Sequence, residues 1–374
     1  MVSQNNEVNC LIHLLSCAIN QKECEDIGDV DFKELFSLAK KHQVYNIIYP
    51  VICDFDSIPQ YEKDKWRNYN LTEIKRMITI NNERSAIFNA LKDNKIRFMP
   101  LKGLILKNYY PKESMRQMSD NDILFDEENR DAVAEIMKKF GYKPIATGEN
   151  SDDYFKAPYC TFEFHRNLFF EEHDFCPRFN NLWENSFVDS GNPFMYHMGL
   201  DDVYVYSVCH MYKHYSTAGC GVRFLADNYL FLKKEQNNLN WDYISGKMQE
   251  YGIAEYEKKS RELAFKIFDE EPLNDEEIKL LENYINFGIY GDGNIALRRN
   301  IEKLSENGDI QNAKKKYIFR RLFPEKKKMI ADYRALEKKP YLLPFYYIYR
   351  LFKGARNGSK TLSEYKAVKD MENK

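Results

Sequence analysis

The stretch MRQMSDNDILF, residues 115–125, ends in a short apolar run with two carboxylates, Asp120 and Asp122, at its mouth. Alternate side chains of a β-strand share a face, so these two aspartates would aim at one point. A strand needs a sheet, and the flanking chain predicts one. In IRFMPLKGLILKNYYP, residues 96–101 suit a strand and Lys102–Gly103 a turn. Leu104 to Tyr110 suit a short helix that stops before Pro111. EENRDAVAEIMKKFGY reads as a helix with Val133, Ile136, Met137 and Phe140 inward and Gly141 as its stop. YFKAPYCTFEFHRNLFF then alternates, with Phe162 and Phe164 on one face and Thr161, Glu163 and His165 on the other.

On either side of this core the chain reads as helix. DVDFKELFSLAKKHQV has Asp31 as N-cap and Glu34 three residues on. LTEIKRMITINNERSAIFNALKDNK offers Ile74, Met77, Ile78, Ile87 and Leu91 as buried positions. LDDVYVYSVCHMYKHY and VRFLADNYLFLKK read as two helices joined by STAGCG, and helical patterning runs to about residue 305. The expected fold class is α+β, a small mixed-sheet core embedded in a mostly α-helical chain. The expected divisions are a helical region 1–95, the α/β core 96–195, a helical domain 196–310 and a basic and aromatic extension 311–374.

Composition narrows the classes. The formal net charge of −2 gives no global reason to bind nucleic acid or an anionic membrane. The eight cysteines form no C-x-x-C pair and the start is polar, so reduced thiols in a cytoplasm are expected, with no membrane span. The basic segment 314–328 is expected to be a solvated helix face. The aromatic run 341–352 is expected to dock on the protein's own core.

Oxygen ligands with net negative charge suit Mg²⁺, which shares its sphere with substrate phosphates. Asp120 and Asp122 could supply two such ligands and Glu163, from a neighbouring strand, a third. SDND is equally a run of turn residues. Arg116 can bond Asp120 or contact phosphate. Lys102 and Gly103 would stand at a helix N-terminus, where backbone N–H groups can hold phosphate. His165 could orient Glu163 or act as a base. His210 and His214 stand four apart, but no glutamate follows His210, so the zinc-protease motif is absent. Arg223 and Asp227 have the spacing of an ordinary helix salt bridge.

Taken together, PLKGLILKNYYP, MRQMSDNDILF and FEFHRNLF resemble a bacterial nucleotidyltransferase family, a branch of the DNA polymerase β-like nucleotidyltransferase superfamily. The shared pattern is Lys102–Gly103, then Arg116–Asp120–Asp122, then Glu163–His165. HMYKHYSTAGCGVRFLADNY is similar to a second block of that family, with Lys213, His214, Arg223 and Asp227. The superfamily turn usually carries Gly followed by Gly or Ser; here Leu104 follows Gly103.

The resemblance implies metal-dependent transfer of a nucleoside monophosphate from an NTP such as ATP, with release of pyrophosphate. Asp120, Asp122 and Glu163 would be catalytic and would hold Mg²⁺ or Mn²⁺. Lys102, Gly103, Arg116, Lys213, His214 and Arg223 would bind nucleotide, and His165 and Asp227 would support them. The acceptor is left open among a small molecule, a protein and RNA. Two rival expectations are a non-catalytic nucleotide-binding partner protein and a tRNA-directed toxin.

Overall fold

The computed structural model describes residues 5–24, 27–148, 150–169, 175–179, 181–289, 291, 293–305, 309–333, 335–356 and 368. Four helices come first: α1 (Asn6–Asn20), α2 (Phe32–Lys41), α3 (Tyr45–Ile52) and α4 (Gln60–Asp93). Asp31 caps α2 as its sequence predicts, its carboxylate accepting from the Lys33 and Glu34 N–H groups. Helix α4 runs for 34 residues and belongs to two cores. Trp66 packs into a helical core with α1–α3, whereas Ile80, Ile87 and Leu91 lie under the sheet. Ile74 and Met77 are half-buried. Ile78 is 52% exposed rather than buried, because Ile80 takes the sheet-facing position.

The sheet follows the expected order. It comprises β1 (Phe98–Pro100), β2 (Asn121–Phe125), β3 (Lys143–Thr147), β4 (Ser151–Lys156) and β5 (Cys160–His165). Between them lie α5 (Gly103–Leu106), which continues as a 3-10 turn to Tyr109, and α6 (Arg130–Lys139). The strand order is β1-β2-β5-β4-β3, with β2 and β5 parallel and the other neighbours antiparallel. The alternating run that reads as one strand region is a hairpin of β4 and β5; its last residue, Phe170, lies outside the described residues. Strand β3 gives no sequence signal because it is an edge strand with four of its five residues exposed. Gly141 ends α6 with φ +81°, a conformation in which a Cβ is strained.

The two faces of the sheet are buried differently. Ile123, Phe125, Phe162 and Phe164 pack on α4 and α6. Met99, Leu101 and Leu124 pack on the other side against Val203, Tyr206 and Cys209 of α7 (Leu200–Thr217). A two-stranded sheet, β6 (Phe187–Val188) and β7 (Tyr196–His197), precedes α7. Helix α8 (Val222–Glu235) returns along α7, and α9 (Trp241–Glu250), α10 (Ala254–Phe268), α11 (Asp275–Phe287) and α12 (Gly293–Lys303) complete the helical part.

The basic segment forms α13 (Ile310–Leu322) and α14 (Lys326–Asp332), with Phe319, Leu322 and Phe323 exposed. After α15 (Ala335–Lys338), α16 (Leu343–Arg356) carries the aromatic run. The expectation that this run docks on the core is corrected: Tyr341 is 70%, Phe345 67% and Phe352 70% exposed, because the helix packs on α14 by one side alone. Among the described residues no helix is long and apolar enough to cross a membrane.

Candidate active site

Strand β2 places Asp122 on the α7-facing side of the sheet, where Leu124 also points. Parallel pairing sets Asp122 beside Glu163 and Leu124 beside His165. Antiparallel pairing then sets Asp153 of β4 beside Glu163. Three neighbouring strands therefore carry a row of carboxylates, Asp122, Glu163 and Asp153. Asp120 precedes β2 and lines the same cavity of about 300 Å³ as Asp122 and Glu163. Asp153 is not among the sequence candidates: only the β4–β5 register brings it alongside.

Two hydrogen bonds fix Asp122. Lys102 Nζ and His165 Nε2 both donate to its Oδ1, each at 2.8 Å. His165 Nε2 also lies 3.6 Å from Glu163 Oε2, and His165 Nδ1 is buried with no hydrogen-bond partner among the described residues. The electrostatics split the three acids. Burial alone would raise Asp122, but Lys102 and His165 hold it well below the usual carboxylate range. Burial and the charge of Asp122 push Asp120 up. Glu163 is pushed up by burial, Asp122 and Asp120. Burial also holds His165 towards the neutral imidazole, against the pull of Asp122.

This donor set fits a hard divalent cation. The nearest ligand atoms of Asp122, Glu163 and His165 lie within 4.8 Å of one another. Burial and mutual repulsion raise two of the three carboxylates, which a cation among them would relieve, and oxygen donors are what such a cation takes.

The Lys102–Gly103 turn opens α5, and both residues line the cavity. The N–H groups of Leu104, Ile105 and Leu106 already bond the carbonyls of Leu101 and Lys102, so they form no open phosphate cradle. The turn also offers the cavity the Lys102 ammonium, on a backbone at φ +45°. Gly103 is required by close approach: a Cβ there would lie 2.6 Å from Arg116 Nη1.

Arg116 is not bonded to Asp120 in the way its spacing suggests. It forms a buried two-pronged pair with Asp227, Nε to Oδ1 at 2.7 Å and Nη2 to Oδ2 at 2.8 Å. Tyr110 donates to the same Oδ1 at 2.8 Å. Arg116 therefore ties the segment before β2 to α8 while still lining the cavity. Asp227, whose spacing would also allow a helix salt bridge to Arg223, is taken by Arg116. Arg223 instead donates to Gln43 Oε1 (2.6 Å) and Gln117 O (3.2 Å).

Lys213 and His214 of α7 and Arg223 of α8 face the carboxylates across the cavity. Burial lowers the Lys213 pKa. His214 Nε2 lies 3.2 Å from His210 Nε2. Sequence reasoning also passes over Tyr206, one turn before His210. It is buried in the cavity wall with a hydroxyl that has no hydrogen-bond partner among the described residues. Phe169 and Phe179 stand edge-on to its ring. No local pattern marks such a residue, because it reads as an ordinary core aromatic.

A family model described as uncharacterised nucleotidyltransferase matches residues 28–269, more than half of the chain. No curated protein matches. Among solved structures, the solution structure of the antibiotic-resistance factor ANT(2'')-Ia matches at 10% identity and a TM-score of 0.35, over 50% of this chain and 95% of that one.

Proposed function

From the premise that this chain belongs to the uncharacterised nucleotidyltransferase family and is a nucleotidyltransferase, we propose that it transfers a nucleoside monophosphate from an NTP such as ATP to an acceptor nucleophile and releases pyrophosphate. The reaction is metal-dependent and takes place in a bacterial cytoplasm. The observation that carries this reading is the register of β2 on β5, which sets Glu163 beside Asp122 at a cavity lined by Lys102, Lys213 and Arg223.

Asp120, Asp122 and Glu163 would hold Mg²⁺ or Mn²⁺, which when bound supplies charge stabilisation to the reacting phosphates. Lys102, which now bonds Asp122, is the cation placed to reach the triphosphate. Lys213, His214 and Arg223 bind the remaining phosphate charge, and Arg116 holds the β2 entry in place through Asp227. His165 keeps one Asp122 oxygen aimed into the cavity. The acceptor oxygen bonds to the α-phosphorus, the bond from that phosphorus to the bridging oxygen breaks, and the acceptor's proton passes to a carboxylate of the cluster.

The test is incubation with Mg²⁺, each α-labelled NTP in turn and a cell extract. Label is expected in one acceptor class, a small molecule, protein or RNA, with pyrophosphate released. Label transfer by Asp120→Ala with Asp122→Ala equal to that of the wild type would overturn the reading.

A further inference from the structure

Far from the carboxylates, α1 carries a second cluster of ligating side chains. His13 and Cys17 stand one turn apart on α1, and Cys24 returns to them just after it. All eight cysteines of the chain are free thiols. The nearest ligand atoms of His13, Cys17 and Cys24 all lie within 4.8 Å of one another. His13 Nε2 is 3.8 Å from Cys17 Sγ. A tetrahedral zinc ion, with metal–nitrogen about 2.0–2.1 Å and metal–sulfur about 2.3 Å, spaces such a pair at roughly 3.6 Å. The His13–Cys17 pair is thus close to the edge length of a coordination tetrahedron, with Cys24 Sγ within 4.8 Å of both.

The other imidazole nitrogen adds an independent observation. His13 Nδ1 bonds Glu270 Oε1 at 2.5 Å, and Lys22 Nζ holds Glu270 Oε2 at 2.6 Å. A carboxylate on one ring nitrogen leaves the other free to ligate and fixes the ring's orientation, the usual outer arrangement around a metal-bound histidine. Glu270 itself sits at φ +61°, a conformation uncommon outside glycine, at the end of α10. The same junction is tied down again by Asn20 Nδ2 on Phe268 O at 2.9 Å.

We propose that His13, Cys17 and Cys24 form a binding site for a borderline-soft divalent cation, zinc being the best fit, which clamps α1 to the segment after it and to the end of α10. Two sulfurs and an imidazole select such an ion over Mg²⁺, so the site is chemically separate from the oxygen-lined cavity. Its fourth position is left to water or an incoming donor.

The experiment is Co²⁺ titration of the reduced, chelator-stripped full-length protein. The wild type is expected to develop thiolate-to-cobalt charge-transfer absorption that saturates stoichiometrically and is displaced by Zn²⁺. Cys17→Ser with Cys24→Ser should abolish the band. Glu270→Gln, a milder surface change, should weaken Co²⁺ binding by about tenfold to a hundredfold. Asp122→Asn should leave the band intact, since the cavity cluster contains no sulfur. No thiolate band in the wild type, a band that survives the double variant, or a Cys17–Cys24 disulfide forming in place of metal binding would overturn the proposal.

Discussion

His165 lies against Asp122 and Glu163 at once, and its Nε2–H can keep only one carboxylate oxygen occupied. Replacing it removes one of the two hydrogen bonds that fix Asp122 and leaves the Lys102 bond alone to hold it. His165→Asn is expected to lower turnover or metal affinity by about tenfold to a hundredfold, read as initial rates against Mg²⁺ concentration. An unchanged Mg²⁺ profile would take His165 out of the site. Arg116 and Asp227 make a different prediction, one about stability. Both are buried, so Asp227→Ala strands a guanidinium and should cost about 3–5 kcal/mol in urea unfolding. Tyr206→Phe should do the reverse of an ordinary core change. It removes a buried hydroxyl with no hydrogen-bond partner among the described residues, so stability should hold or rise, while nucleotidyl transfer falls if that hydroxyl meets substrate in the cavity it lines. A variant that keeps full activity would make that hydroxyl a bystander.

Helix α2 ends in a contact that should make the protein sensitive to acid. His42 Nε2 donates to Ile285 O at 3.1 Å, while Nδ1 accepts from the Val222 N–H at 3.3 Å. The imidazole is locked neutral, and burial pulls its pKa from 6.5 to about 3. The unfolded chain therefore takes up the proton first. Stability should fall as pH drops below 6.5, by on the order of a few kcal/mol, and this contribution levels off near pH 3. Chemical denaturation across that window should show the slope, and His42→Asn should flatten it.

At this same scale the sequence was legible where one element carried its own pattern. Asp31 announces α2, Gly141 closes α6, and the apolar run after Asp122 marks β2. Glu163 and His165 could be assigned to one face because strands alternate. The edge strand β3 was illegible because solvent, not a core, surrounds it. Asp153, Tyr206 and the Arg116–Asp227 pair were illegible because each depends on a partner distant in the chain. The exposed aromatics of α16 misled, since an apolar pattern says that a face exists and not that anything covers it.

Across the whole molecule, α4 joins two cores and should couple them. Trp66 sits in the helical core, while Trp183 and Trp241 pack beside the core between the sheet and α7. Tryptophan fluorescence and far-ultraviolet circular dichroism should therefore report one coincident unfolding transition. Two separated transitions would mean that residues 1–95 and the sheet melt independently. The same helix also bears on how the chain is made. Its Trp66 end can meet Phe36, already synthesised, as soon as it leaves the ribosome. Its far end is covered in stages: Ile87 and Leu91 meet Phe98 and then Ile123 and Phe125 first, and Phe162 and Phe164 complete the core roughly seventy residues later. At about 5–20 residues per second, that core stays incomplete for roughly 4–15 seconds of every round of translation.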